Sequence, residues 1–228
     1  MTSTSGQAVR NRMQCGNRIP GKVDEFISRA AIYGYFAGGD TTTYQVTTDQ
    51  VTFATQATDA KTTANLSQAR YSLAGLSDGA IYGYFAGGTN GTDQATTDQV
   101  TFATQATAAK TTANLSQARQ GLAGLSDGVI YGYFAGGYTT TFQVTTDQVT
   151  FATQATAAKT TANLSQARRY LAGLSDGAIY GYFAGGYNGT NQVTTDQVTF
   201  ATQATAAKTT ANLSQARRYL AGLSDGAI

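Results

Sequence analysis

The sequence predicts an all-β fold, a β-propeller of four 49-residue blades, and three observations carry the prediction. The motif Tyr33-Gly-Tyr-Phe-Ala-Gly-Gly39 is written four times, again at 82–88, 131–137 and 180–186, each copy 49 residues after the last. Within every unit, short runs rich in aromatic and β-branched residues alternate with polar ones, as half-buried strands do. Asp-Gly and Gly-Gly pairs punctuate those runs, and Asp-Gly between apolar runs is a strong hairpin signal. A strict period of this size marks a propeller, solenoid or array. Four units (33–81, 82–130, 131–179 and 180–228) fill the chain from 33 to 228 with nothing left over.

Each unit reads as four short strands in order. Residues 71–76 (Tyr-Ser-Leu-Ala-Gly-Leu) form the first, ended by the turn Ser77-Asp78-Gly79. Residues 80–86 form the second, closed by the Gly pair. After a polar loop, 99–104 alternate Val and Phe with polar residues as a third strand. A Thr/Ala-rich connection leads to 113–119, read as a short outer strand. Four short strands at this period describe a propeller blade. A repeat of alternating helix and strand is the competing reading, because 155–174 are rich in helix formers with Leu164, Leu171 and Leu174 near helical spacing. Thr160-Thr161, Gly173 and the Asp-Gly turn cut that segment into pieces and favour strands.

The combination Arg-x-x-Leu-Ala-Gly-Leu-x-Asp-Gly-x-Ile-Tyr-x-x-x-Ala-Gly-Gly, followed by Val-Thr-Phe and a small-residue segment ending in Ala-Arg, resembles a kelch repeat. The resemblance covers roughly 30–228 and is to the Gly-Tyr-Phe-(Ala/Gly)-Gly-Gly variety of bacterial and phage proteins. Its opening arginines match Arg70, Arg119, Arg168 and Arg217. The chain departs from it in having no Trp, and Phe53, Phe102, Phe151 and Phe200 are the residues available to fill that volume. The resemblance implies a propeller that acts as a non-enzymatic scaffold.

The repeat frame starts in the second strand of one unit and ends after the first strand of another. Residues 217–226 are thus an orphan strand, and the first unit lacks one. Pairing the orphan with 33–39 closes the ring and leaves no open edge, which is what sheet edges require. Residues 1–32 stand outside the repeat as a flexible or partner-ordered arm. They carry Arg10, Arg12, Arg18, Lys22 and Arg29 against Asp24 and Glu25, whereas the repeats are close to neutral, so no basic stripe for nucleic acid runs through them.

Composition removes several function classes. The chain has no His, which excludes a His-based triad or imidazole metal site. A single cysteine, Cys15, excludes an internal disulfide framework. No apolar run reaches membrane-spanning length and no signal-peptide pattern opens the chain, so a cytoplasmic or virion location is expected. Asp49, Asp98, Asp147 and Asp196 recur in one ring, and Asp78, Asp127, Asp176 and Asp225 in another. Such rings suit a hard cation, but the second set reads better as turn residues bonded to their own backbone, and the first as partners of Lys or Arg or as caps of a bend. Neither metal nor cofactor is expected. The Gly pairs match no phosphate loop. Asn-Leu-Ser and Asn-Gly-Thr fit the glycosylation pattern as a coincidence that repetition multiplies. Tyr33, Tyr35, Phe36 and their copies read as packing between blades, with stacking of sugars or bases as the functional alternative.

Units three and four differ at only three positions, all in the loop after the Gly pair. That loop runs from Asp40 to Tyr44, from Thr89 through Asn90 to Asp93, from Tyr138 to Phe142, and from Tyr187 through Asn188 to Asn191. The residues after each opening Arg vary as well. Loops on a rigid scaffold are where binding residues sit. The expected function is therefore recognition of a protein or glycan through Asp40, Tyr44, Asn90, Asp93, Tyr138, Phe142, Tyr187, Asn188 and Asn191, with no nucleic acid or membrane as partner. The alternative is a structural part of a phage particle (tail, fibre or head decoration) docked through the N-terminal arm.

Overall fold

The computed structural model describes residues 32–225. The expected arm, Ile32 apart, lies outside them. Four antiparallel sheets follow one another, consistent with a propeller-like repeat. The first has three strands, β1 (Tyr33–Ala37), β2 (Thr48–Thr52) and β3 (Ala57–Ala60). The second has four: β4 (Ala74–Ser77), β5 (Tyr82–Ala86), β6 (Thr97–Thr101) and β7 (Ala106–Ala109). The third repeats this with β8 (Ala123–Ser126), β9 (Tyr131–Ala135), β10 (Thr146–Thr150) and β11 (Ala155–Ala158). The fourth has β12 (Ala172–Ser175), β13 (Tyr180–Ala184), β14 (Thr195–Thr199) and β15 (Ala204–Ala207). A 3₁₀ turn follows each last strand, at Thr62–Ala64 and its three copies.

The outer strand is not where the sequence suggested. It is the Ala-Thr-Ala-Ala stretch, expected to be a connection, while 114–119 make no strand. The reason lies in those six residues. Asn114 uses its side-chain oxygen to accept the Thr97 backbone N–H at 2.9 Å, and Leu115 N–H donates to Ala95 O, so this stretch ties down the loop rather than adding a ladder. The residues of the competing helical reading, 155–174, form β11, a 3₁₀ turn and β12.

The core lies between sheets. One cluster joins Leu125, Tyr133 and Leu164 to Phe183, Val198 and Phe200 of the next sheet; the other joins Ala74, Tyr84 and Leu115 to Phe134, Val149 and Phe151. A repeat unit of this size cannot bury its apolar face alone, so neighbours must supply the other wall. Tyr35, Tyr84 and Tyr133 stack on Phe102, Phe151 and Phe200 of the following sheet, with centroids 5.9, 5.9 and 6.0 Å apart. These aromatics are packing between sheets.

The leading strands β4, β8 and β12 lie side by side along the stack. A Cβ on Gly124 would meet Gly75 O at 2.5 Å, so only glycine permits this approach. Ser126 Oγ donates to Ser77 O and Ser175 Oγ to Ser126 O, both at 2.7 Å. The same step governs the C-terminal segment. A Cβ on Gly222 would meet Gly173 O at 2.6 Å, and Tyr219 N–H donates to Tyr170 O at 3.0 Å. The expected ring closure is therefore not what the described residues form. Residues 217–225 hold no strand and lie against β12, and no described strand flanks the far edge of β1. The contact that orders each leading strand on its predecessor draws the last one to the end of the stack away from β1.

Arginine joins one sheet to the next. Arg70 O accepts from Gly39 N–H of the first sheet at 3.0 Å, while Arg70 Nη2 donates to Phe85 O of the second at 3.1 Å. The guanidinium also pairs with Asp98 at 2.8 Å, and Arg119–Asp147 and Arg168–Asp196 repeat the pair at 2.7 and 2.8 Å. Burial pushes all three guanidiniums below their ordinary value, and the facing carboxylates pull them back up. The close carbonyl explains the Gly pair: a Cβ on Gly38, at φ +71, would meet Arg70 O at 2.6 Å.

Candidate functional site

The loops after the Gly pairs come to one side of the stack and form a continuous row. Each is pinched shut by a bridge between its ends: Asp40 with Tyr44, Thr89 with Asp93, Tyr138 with Phe142, and Tyr187 with Asn191. A glutamine just after each loop braces it from within. Gln45 Nε2 donates to Thr43 O at 2.7 Å, and Gln94 and Gln192 donate to Asn90 Oδ1 and Asn188 Oδ1 at 2.9 and 2.7 Å. The Asn90 and Asn188 side-chain oxygens are thus occupied within their own loops.

The residue after each opening Arg reaches this row, and it was missing from the residues chosen on sequence. Tyr71, Gln120 and Arg169 bridge to Thr89, Tyr138 and Tyr187. Each also meets the end of the preceding loop. Tyr44 stacks on Tyr71 with centroids 5.2 Å apart, Gln120 Nε2 donates to Asp93 Oδ1 at 3.0 Å, and the Arg169 guanidinium lies 5.7 Å from the Phe142 ring centroid. The two variable sets are partners, so the signal that could have found these residues was their joint variation from unit to unit.

The far half of the row is a run of alternating rings and cations. Arg169 sits 4.4 Å over Tyr138 and 4.6 Å over Tyr170, and Arg218 sits 4.3 Å over Tyr187. Phe142 meets Tyr138 and Tyr187 edge-on at 5.4 and 5.8 Å. Tyr170 and Tyr219 stack at 4.2 Å, and burial with the Tyr219 hydroxyl raises the Tyr170 hydroxyl above its ordinary value against the pull of Arg169. A cation over a ring contributes about 0.5–1 kcal/mol at an exposed site, which biases these side chains toward the stacked arrangement.

Three members of each carboxylate ring have other duties. Asp98, Asp147 and Asp196 are buried in the arginine pairs. Asp78, Asp127 and Asp176 each accept three backbone N–H groups through Oδ1, Asp127 from Val129, Ile130 and Tyr131 at 2.9, 2.7 and 2.9 Å. Among the described residues no cluster of acidic side chains gathers as a metal site, and no helix is long and apolar enough to cross a membrane. No protein-family model and no curated protein matches the chain.

Proposed function

We propose that this chain is a non-enzymatic, kelch-like scaffold that recognises a protein or a glycan through the loop row, with Tyr138, Phe142, Tyr187, Arg169 and Arg218 as its principal contacts. The observation that carries the reading is the interleaved run of rings and guanidiniums on one side of the stack. Rigid aromatics supply contact area at low entropic cost, and arginine supplies hydrogen bonds. The first two loops are more polar and contribute Tyr44 and Asp93. The test is binding to arrayed glycans and to a photo-crosslinked cell extract, repeated with Arg169→Ala and Tyr187→Ala. The expected result is at least a tenfold loss for variants that melt as the parent does. Undiminished binding by both would place the partner elsewhere.

A second reading, a structural component of a phage particle docked through the N-terminal arm, is favoured by the first sheet. Among the described residues no strand flanks the far edge of β1, and such an edge invites continuation by another chain. Mass spectrometry of purified particles would decide it, since a structural component is present in fixed ratio to the other particle proteins.

A further inference from the structure

The two ends of the stack are halves of the joint that repeats inside it. At one end, the far edge of β1 opens on a cleft of about 360 Å³ lined by Tyr35, Phe36, Asp49, Leu73, Gly75 and Phe85. At the other, residues 217–225 carry a leading-strand sequence with no sheet of their own. Ala221-Gly-Leu-Ser224 is identical to Ala74-Gly-Leu-Ser77, and β1 is identical to β5. Phe36 is 68% exposed where Phe134 and Phe183 are fully buried, and Leu223 is 93% exposed where Leu125 is 5% exposed.

The unpaired halves match group by group. Each buried carboxylate of the ion-pair ring has its arginine 28 residues earlier, but the residue 28 before Asp49 is Gly21. Among the described residues Asp49 has no arginine, and Arg217 has no carboxylate although Arg217 O accepts from Gly186 N–H as its three counterparts do. Among the described residues no Phe ring stacks on Tyr182 and no Tyr ring stacks on Phe53, which is 49% exposed. A ladder of backbone bonds runs from Gly121 N–H to Ser72 O, Tyr170 N–H to Gly121 O and Tyr219 N–H to Tyr170 O; among the described residues Tyr219 O and Ser72 N–H are its free ends.

We propose that the C-terminal segment of one copy docks as the missing fourth strand of the first sheet of a second copy. The internal register Ala74↔Ala86, Gly75↔Phe85, Leu76↔Tyr84 and Ser77↔Gly83 sets Ala221 opposite Ala37, Gly222 opposite Phe36, Leu223 opposite Tyr35 and Ser224 opposite Gly34. Arg217 then meets Asp49, Tyr182 stacks on Phe53, and Tyr219 O accepts from Ser72 N–H. The segment keeps its place on its own β12, because β8 pairs with β9 while lying on β4 in the same way. A second copy is the occupant rather than the same chain, because 217–225 lie at the end of the stack away from β1. The joint is head-to-tail and so builds a ring or a filament according to the rotation per step.

The test uses the full chain in a Cys15→Ser background. Sedimentation should give dimers or larger species. Chains carrying Ala37→Cys alone and Ala221→Cys alone should form a disulfide-linked heterodimer when mixed, and neither should cross-link by itself. Arg217→Ala and Gly75→Ala should each yield a monomer that still melts cooperatively. Gly75→Ala blocks the joint because its Cβ would strike the partner's Gly222 carbonyl, whereas nothing of the described backbone lies closer than 3.8 Å to it within the chain. A monomeric parent, no disulfide in the mixture, or a disulfide formed within a monomer of the doubly substituted chain would each overturn the proposal.

Discussion

Arg119 and Asp147 meet at 2.7 Å with neither side chain exposed to solvent, and the same guanidinium donates to Phe134 O at 3.0 Å. An isolated buried charge is costly, so the pair is held by each partner's need for the other. Replacing one member should therefore hurt more than replacing both. Arg119→Ala is expected to destabilise the fold by about 3–5 kcal/mol, because it leaves Asp147 buried and unpaired. Arg119→Met with Asp147→Leu should recover much of that loss. Urea denaturation of the three chains checks the order, and a double variant no better than the single one would show that the backbone contacts of Arg119 dominate.

Glycines on the leading strands give a sharper contrast. At Gly124 an added Cβ would lie 2.5 Å from Gly75 O, a backbone atom that cannot move aside. At Gly75 the nearest atoms are 3.2 Å away on the Phe85 ring. Gly124→Ala should lower the melting temperature by several degrees, on the order of 2 kcal/mol, as overpacking typically does. Gly75→Ala asks only the Phe85 ring to give by a few tenths of an ångström and should lower the melting of the isolated chain far less than Gly124→Ala. Both follow from differential scanning calorimetry at low protein concentration.

The period of 49, the Asp-Gly turns and the aromatic strands were legible because packing constrains every copy alike. Asp127 was readable as a turn residue for a local reason: the three backbone N–H groups that donate to it lie within four residues. The outer strand was not legible. Ala106–Ala109 has weak strand propensity and is held by pairing with β6, so tertiary context overrides the local signal. The partnership of Phe142 with Arg169 joins the third sheet to the fourth, and no local pattern reports it. Closure failed for a similar reason: the sequence shows that two ends are complementary but not whether they belong to one chain.

The turn after each leading strand should be sensitive to its carboxylate. Asp127→Ala removes the acceptor of three backbone N–H groups beside a buried sheet, and about 1–3 kcal/mol is expected for the loss. Asp127→Asn keeps an oxygen at that position and should cost less. In the fourth sheet, burial pushes the Asp176 carboxyl up, but N–H groups of Ala178, Tyr180 and Ile179 outweigh it and hold the group below its ordinary 3.8. The unfolded chain then takes up that proton first. The contribution is present above about pH 4 and is lost as pH falls through the lower folded value. Asp176→Asn should flatten this acid limb of the stability profile.

Alkaline titration tests the tyrosines between the sheets. Burial raises the Tyr84 and Tyr133 hydroxyls to about 12, although Gln99 and Gln148 donate to them at 3.0 Å and favour the ionised form. The unfolded chain ionises these groups near the ordinary value of 10.0, so between the two values the folded state holds protons that the unfolded state has released. Stability from this source is complete below pH 10 and declines as pH rises toward 12. Absorbance at about 295 nm should show a late-ionising class of tyrosines that rises together with loss of the β signal in circular dichroism. Tyr84→Phe and Tyr133→Phe should each shrink that late class and move the alkaline unfolding midpoint upward. A single titration step near 10 with the fold intact would show that water reaches both hydroxyls between the sheets.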